Sequence, residues 1–301
     1  MSRRLCVAAT GALALALALL PTTGTAQDPN GRIDPETAPR PVGRAFRATG
    51  PITIDGRLDD VAWSEAEPMD HFTQAVPDAG YPATEPTAVR FLYDDEMLYI
   101  GAMCWESHPE RLVNKTLEWE LPGLSTHEID VLNVFLDTFL DRRNAFMFIV
   151  NPAGAYRDGQ AFNDSRNLDF GWDAIVHVRT EVSDSGWTVE MAIPWTSLRF
   201  DPTREEQVWG LNLFRRSRWK LEDSFWAPLD RRDRGHRMSK AGTLVGLPTV
   251  ESGRNLALRP FVLSGSGSGR DIADADRGTT FDGGLDLKYG LSPRLTLDLT
   301  Y

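Results

Sequence analysis

The sequence predicts an all-β protein: an antiparallel β-sandwich of the jelly-roll type, followed by the first strands of an outer-membrane β-barrel. Three patterns carry this expectation. Short apolar runs recur between turns rich in Asp, Asn and Gly, which is how an antiparallel sheet is punctuated. Trp187, Val189, Met191 and Ile193 alternate with Thr188 and Glu190, the period of two that marks a strand with one buried face. Near the end, Leu285, Leu287 and Tyr289, then Leu295, Leu297, Leu299 and Tyr301, alternate with Asp286, Lys288, Thr296, Asp298 and Thr300. Membrane barrels read this way, apolar toward lipid and polar toward the lumen.

The chain begins as an export signal. Arg3 and Arg4 precede a Leu/Ala run over residues 13–20, and Gly24-Thr25-Ala26 supplies small residues for cleavage before Gln27. The apolar run is shorter than the roughly 20 residues a spanning helix needs, and no cysteine follows it for lipid attachment. Residues 1–26 are therefore expected to be a signal peptide, and the protein to reach the cell envelope, periplasm or outer membrane. Residues 27–47, rich in Pro, Gly and Arg without hydrophobic period, read as a linker. Cys6 leaves with the signal and Cys104 stands alone, so the fold rests on its apolar core and not on disulfides. The formal net charge of −11 argues against nucleic acid or anionic headgroups as partners.

Residues 48–250 form the expected sandwich. Strands are predicted over 87–93 and 97–105 around the acidic turn Asp94-Asp95-Glu96, over 129–137 and 145–151 around Asp141-Arg142-Arg143-Asn144, and over 172–180 and 186–193. Residues 209–216 and 225–229 add two more, and short helical turns are expected at 60–66 and 194–198. Residues 251–301 are read as the start of a truncated barrel, because three strands cannot close where about 8 are needed.

Trp105, Trp119 and Trp172 fall at strand ends or in loops beside polar residues, where an aromatic face stacks on a sugar ring and neighbouring groups bond its hydroxyls. Trp63, Trp187, Trp195 and Trp209 read as core. Asp137, Asp141 and Asn144 bracket one turn, and Asp164, Asp169 and Asp173 punctuate another loop; hard oxygens in such groups suit structural calcium. Catalytic patterns are sparse. The five histidines are scattered, with no His-Glu-x-x-His or Cys-x-x-Cys spacing and no Gly-x-Ser-x-Gly elbow. Glu190 is the one carboxylate inside a convincing strand, and an ion pair with Arg215 or Arg216 is expected for it. The run Arg231-Arg232-Asp233-Arg234-Gly235-His236-Arg237 reads as a solvated loop.

Several segments together resemble one family. Ile54-Asp55-Gly56-Arg57-Leu58-Asp59-Asp60-Val61-Ala62-Trp63 and Phe91-Leu92-Tyr93-Asp94-Asp95-Glu96-Met97-Leu98-Tyr99-Ile100-Gly101 are similar to the opening of the family 9 carbohydrate-binding modules. Asp130 to Asp137, Phe148 to Gly154, Gly186 to Trp195 and Trp209 to Leu213 follow in the family's order, over roughly residues 50–248. The tail looks like the barrel that follows such modules in a group of bacterial outer-membrane proteins. The resemblance implies a sandwich that binds sugar in a Trp-lined cleft, with structural calcium. Carried over by motif spacing, the cleft positions fall at His127, Asn133, Ile149 and near Gly235. Of these Asn133 retains hydrogen-bonding capacity and Ile149 does not, so the family's cleft is mostly not preserved.

The expected function is an exported, non-catalytic carbohydrate-binding module that assists polysaccharide breakdown by O-glycosyl hydrolases. The alternatives are a hydrolase acting on O-glycosyl bonds, with Glu190 as its test residue, and a periplasmic plug or docking domain of an outer-membrane barrel. Ligand-binding residues are expected at Trp105, Trp119, His127, Asn133 and Trp172, and metal ligands at Asp137, Asp141 and Asn144.

Overall fold

The computed structural model describes residues 31–113, 128–164, 166–233, 237–249, 256–266, 279–292 and 295–301. The signal segment 1–26, Trp119, His127 and Gly235 lie outside the described residues. In chain order the elements are β1 (Val42–Arg47), α1 (Val61–Glu65), β2 (Thr73–Val76), β3 (Thr87–Tyr93), β4 (Met97–Trp105), β5 (Val131–Asp137), β6 (Ala145–Val150), β7 (Tyr156–Phe162), β8 (Asn167–Asp169), β9 (His177–Ser183), β10 (Gly186–Pro194), β11 (Gln207–Ser217), β12 (Glu222–Phe225), β13 (Gly242–Leu247), β14 (Leu256–Ser266), β15 (Thr279–Ser292) and β16 (Leu295–Thr300).

Strands β1 to β13 share one hydrogen-bonded ladder in the order β8-β7-β6-β5-β11-β13-β1-β3-β4-β10-β9, with β12 on β11 and β2 on β12. The ladder doubles back at β1. Val42, Gly43 and Arg44 pair in parallel with Thr243, Leu244 and Val245, and Ala45, Phe46 and Arg47 pair in parallel with Phe91, Leu92 and Tyr93. One layer therefore runs from β8 to β13 and the other from β3 to β9, with β1 serving both. This corrects two expectations. Residues 42–47 are a strand and not the end of a linker, and the sandwich is not wholly antiparallel. Parallel pairing is available because long connections, not hairpins, join β1 to both neighbours.

Between the layers lies the main core. From one side come Leu132, Val134, Phe148, Trp209, Leu211 and Leu213; from the other Val89, Phe91, Ile100, Trp187, Val189 and Met191. Burying each large apolar side chain contributes about 1.5–3 kcal/mol. Trp209 meets Trp195 edge-on, ring centroids 6.2 Å apart, and Phe200 at 5.7 Å. Trp63, Trp187, Trp195 and Trp209 are all buried, as the alternation in β10 and the position of Trp63 led one to expect. Cys104 is a free, buried thiol, pushed up to about 11 by burial.

The segment before β2 covers the outer face of the second layer. Gly101 makes room for it: a Cβ there would stand 2.6 Å from the Trp63 ring and 2.8 Å from Leu58. Glu190, on the outward side of β10, completes the seal. One carboxylate oxygen accepts the backbone N–H groups of Asp55 and Gly56 at 2.9 and 2.8 Å, and the other accepts the Trp63 indole N–H at 2.8 Å. Glu190 is thus not paired with Arg215 or Arg216. Those side chains answer other acids: Arg215 lies 3.6 Å from Glu106 and 3.8 Å from Asp130, and Arg216 makes two 2.6 Å bonds to Asp223.

The outer face of the first layer carries a second apolar cluster, with Val131, Phe135, Met147, Ile149, Phe214, Phe225 and Met238 all buried. Separately, β14, β15 and β16 form a three-stranded antiparallel sheet. Its register puts Leu258, Val262, Phe281, Leu285, Leu297, Leu299 and Tyr301 on one face, and all are exposed. Among the described residues no helix is long and apolar enough to cross a membrane, which says nothing of strands.

Glu190→Gln is expected to lower stability by about 1–3 kcal/mol, because the amide leaves the indole N–H or a turn N–H facing a donor. Urea unfolding checks this; an unchanged midpoint would show that the carboxylate does not anchor the turn.

Candidate functional site

The sequence-predicted residues separate into three places. Asn133 lies on β5, flanked in register by Ile149 on β6 and Phe214 on β11. It shares its face with Val131 and Phe135. The face where the family resemblance places a ligand is therefore largely apolar. Asn133 is 8% exposed and its Oδ1 has no hydrogen-bond partner among the described residues, a desolvated acceptor that costs about 1–3 kcal/mol. Trp172 is half-buried in the loop before β9, its ring packed on Phe146 at 4.7 Å and Phe148 at 6.1 Å. The expected strand 172–180 begins only at His177. In the stretch before it, the Ala174 N–H donates to the Asp158 carboxylate at 2.6 Å.

Asp137, Asp141 and Asn144 do come together, at the β5–β6 turn, and line a cavity of about 310 Å3 with Gln160 and Arg199. Their oxygens serve the turn itself. Asp137 accepts the N–H groups of Asp141 and Arg142 at 3.1 and 2.7 Å. Asp141 accepts the N–H groups of Arg143 and Asn144 at 2.8 Å each, and the Asn144 amide at 2.5 Å. Arg199, its guanidinium held below the ordinary range by burial, lines the same cavity and repels a second cation. Among the described residues, no three His, Cys, Asp or Glu gather about a common point. With these oxygens already bonded to the turn's own amides, the cluster is a poor fit to the shell of 6–8 oxygen ligands that calcium takes.

Trp105 ends β4 and remains 39% exposed. It opens onto a cleft of about 810 Å3 whose polar walls include Asp70, Thr84, Arg90, Ser107 and Ser185. Neither Asn133 nor Trp172 is among the lining residues. Behind the cleft runs a buried ionic network that sequence reasoning missed. Glu85 accepts the Ser107 N–H at 2.9 Å and its hydroxyl at 2.6 Å, and pairs with Lys220. Burial opposes ionisation of Glu85, but these bonds hold its carboxyl below the usual range. Glu106 accepts the Trp219 indole N–H at 2.8 Å and the Ser217 hydroxyl at 3.1 Å, and burial pushes its carboxyl up. Glu222 holds the Thr84 N–H at 2.9 Å and hydroxyl at 2.7 Å. The floor is thus preorganised, with its carboxylates engaged, while the Trp105 ring is left partly free. The signal was present in the sequence as Glu106 directly after Trp105, but its partners Arg215, Ser217 and Trp219 are more than a hundred residues away.

Burial raises the Asp137 carboxyl to about 6. The folded state therefore holds this proton more tightly than the unfolded chain, and its stabilisation, on the order of 3 kcal/mol, is present at low pH and lost as pH rises through about 6. Asp137→Asn is expected to flatten that decline in urea unfolding between about pH 4 and about pH 7; parallel profiles for variant and wild type would refute it. Chelation with EDTA is expected to leave the thermal midpoint unchanged, and a clear drop would overturn the misfit to calcium.

Comparison with known proteins agrees with this architecture. The chain is 31% identical over 153 residues to endo-1,4-beta-xylanase A of Thermoanaerobacterium saccharolyticum, a match covering 50% of this chain and 11% of that protein. It is 28% identical over 163 residues to exoglucanase XynX of Acetivibrio thermocellus, covering 53% of this chain and 13% of that protein. The chain thus spans only a small part of the length of both. A candidate carbohydrate-binding protein of Bacteroides uniformis ATCC 8492 shares the fold, with a TM-score of 0.54 at 13% identity over 69% of this chain and all of that one. Residues 54–217, more than half the chain, match the carbohydrate family 9 binding domain-like family, and the protein belongs to that family.

Proposed function

We propose that the protein is a non-catalytic carbohydrate-binding module that takes its ligand at the Trp105 cleft. The observation that carries this reading is the partly exposed Trp105 ring over a cleft walled by Asp70, Thr84, Arg90, Ser107 and Ser185. One face of a pyranose stacks on the indole, and the side-chain hydroxyls, carboxylate and guanidinium bond the equatorial hydroxyls. The matched portions of a xylanase and an exoglucanase favour a β-1,4-linked glycan and a supporting role in polysaccharide breakdown. Glu190 offers no free carboxylate for bond cleavage: it is fully buried and both oxygens are bonded. Trp105→Ala is expected to weaken binding of soluble xylan or cello-oligosaccharides in isothermal titration by about tenfold or more, roughly 1.4 kcal/mol, with the thermal midpoint nearly unchanged. No heat from the wild type with any neutral glycan would sink the reading.

The finer setting is part of the same proposal: an exported protein whose C-terminal sheet begins an outer-membrane barrel. The exposed row Leu258, Val262, Phe281, Leu285, Leu297 and Leu299 on one face of β14–β16 supports it, because a lipid-facing strand surface is an apolar band of this kind. Expressed in a Gram-negative host together with the further strands that close the barrel, the chain is expected in the outer-membrane fraction, and Leu285→Asp with Leu299→Asp to shift it to the periplasm. Recovery of the unaltered chain in the periplasm alone would count against a membrane segment.

A further inference from the structure

The arginine-rich run near residue 234 reads in sequence as a solvated loop, yet its ends help build a cleft. Arg232, Asp233 and Arg237 face the β7–β8 turn and the β5–β6 turn across a space of about 690 Å3, which Arg143, Asp164 and Arg166 also line. That volume lies within the range of small-ligand pockets.

The charges do not balance. Asp164 is occupied by the Ser239 N–H at 2.9 Å and hydroxyl at 2.7 Å, with Arg237 at 3.5 Å. Asp233 pairs with Arg237 and with Lys240, the latter at 2.7 Å. Arg232 bonds Asp230 at 2.9 Å. Arg143 and Arg166 are left with no carboxylate partner among the described residues; Arg143 reaches only the Asn163 side-chain oxygen, at 3.3 Å. The two turns are held against each other, since the Asp164 N–H donates to the Arg143 carbonyl at 2.8 Å. Asn163 and Asp164 both take left-handed backbone, φ 55° and 56°, which these two residue types tolerate best among non-glycines. Asn167 adds an amide to the wall. Two guanidiniums without a carboxylate partner among the described residues therefore line one cleft, in a chain whose formal net charge is −11. A planar guanidinium fork matches an oxyanion with two parallel bonds.

We propose that this cleft is an anion-selective subsite, distinct from the Trp105 cleft, which takes the carboxylate of a uronic acid residue or the sulfate ester of a sulfated sugar in an acidic polysaccharide, with Arg143 and Arg166 as its forks. The inference rests on the carbohydrate reading and extends it to a class of charged glycan.

The test uses the purified chain, followed by affinity electrophoresis and titration against sodium polygalacturonate, dextran sulfate, neutral dextran and soluble xylan. Polygalacturonate is expected to bind, more weakly as salt is added. Arg143→Gln with Arg166→Gln is expected to weaken that binding more than tenfold while leaving xylan binding intact. Both arginines are exposed, so the double variant is expected to keep its near-ultraviolet circular dichroism. Binding of dextran sulfate in place of polygalacturonate, lost in the same variant, supports the subsite and assigns the sulfate ester. If neither acidic polymer binds, or if Arg57→Gln outside the cleft weakens binding equally, the inference fails; xylan binding retained in that case leaves the carbohydrate reading standing.

Discussion

Glu190 enters the middle of β10 as a buried carboxylate, and three N–H donors make that tolerable. Removing such a group from water without partners costs several kcal/mol. Here the Asp55-Gly56 turn and the Trp63 indole supply the bonds. Even so, burial pushes the Glu190 carboxyl up, against those donors. The arrangement is one of mutual dependence. The turn gains a fixed acceptor, the indole gains a partner, and Trp63 is held on the strand where Gly101 leaves space. Because the chain continues from Trp63 through Pro68 and Asp70, which line the Trp105 cleft, this internal bond also sets one wall of the proposed ligand site.

The first layer is buried on both of its faces. Its outer face, where the family resemblance places ligand contacts, carries Val131, Phe135, Met147, Ile149 and Phe214 as a second core. Apolar side chains there stabilise the sheet but provide no hydrogen bonds for hydroxyls, and on that face Asn133 keeps an oxygen without a partner among the described residues. Polar, accessible surface is found instead at strand ends: at Trp105 on one layer and at the β5–β6 and β7–β8 turns on the other. Loops and strand ends are where function commonly sits, because a rigid sheet positions them without constraining their residue types.

Electrostatics follow the same division. Some buried acids are answered by cations, Glu106 and Asp130 by Arg215 and Glu85 by Lys220, as is the half-buried Asp223 by Arg216; others, Glu190 and Asp137 among them, are answered by N–H donors. Arg215 also lies over the Trp187 ring, 5.0 Å from its centroid, so the charge is held within the aromatic core of the sandwich. What remains at the surface is mostly negative, against which the arginine cleft is a local exception.

Local pattern alone determined the strands that alternate or carry their own turns. The β3–β4 hairpin and β10 were legible because Asp94 bonds the N–H groups of Glu96 and Met97 within its own turn and because a half-buried strand must alternate. The burial of the four core tryptophans followed from the same period. Tertiary structure decided everything that needed a distant partner. β1 became a strand only because β3 and β13 bracket it. β7, with Arg157, Asp158, Gly159 and Gln160, has no apolar period, and it forms because β6 and β8 supply its ladder. Glu190 was visible as a buried carboxylate, but not its partner, because a backbone N–H in a turn leaves no mark on residue type. The acids at Asp137 and Asp141 looked free for a cation until the turn's own amides claimed them, and Trp172 looked exposed until Phe146 and Phe148 lay beneath it. Residue identity specifies what a side chain is able to bond; only the fold specifies which bonds are already taken.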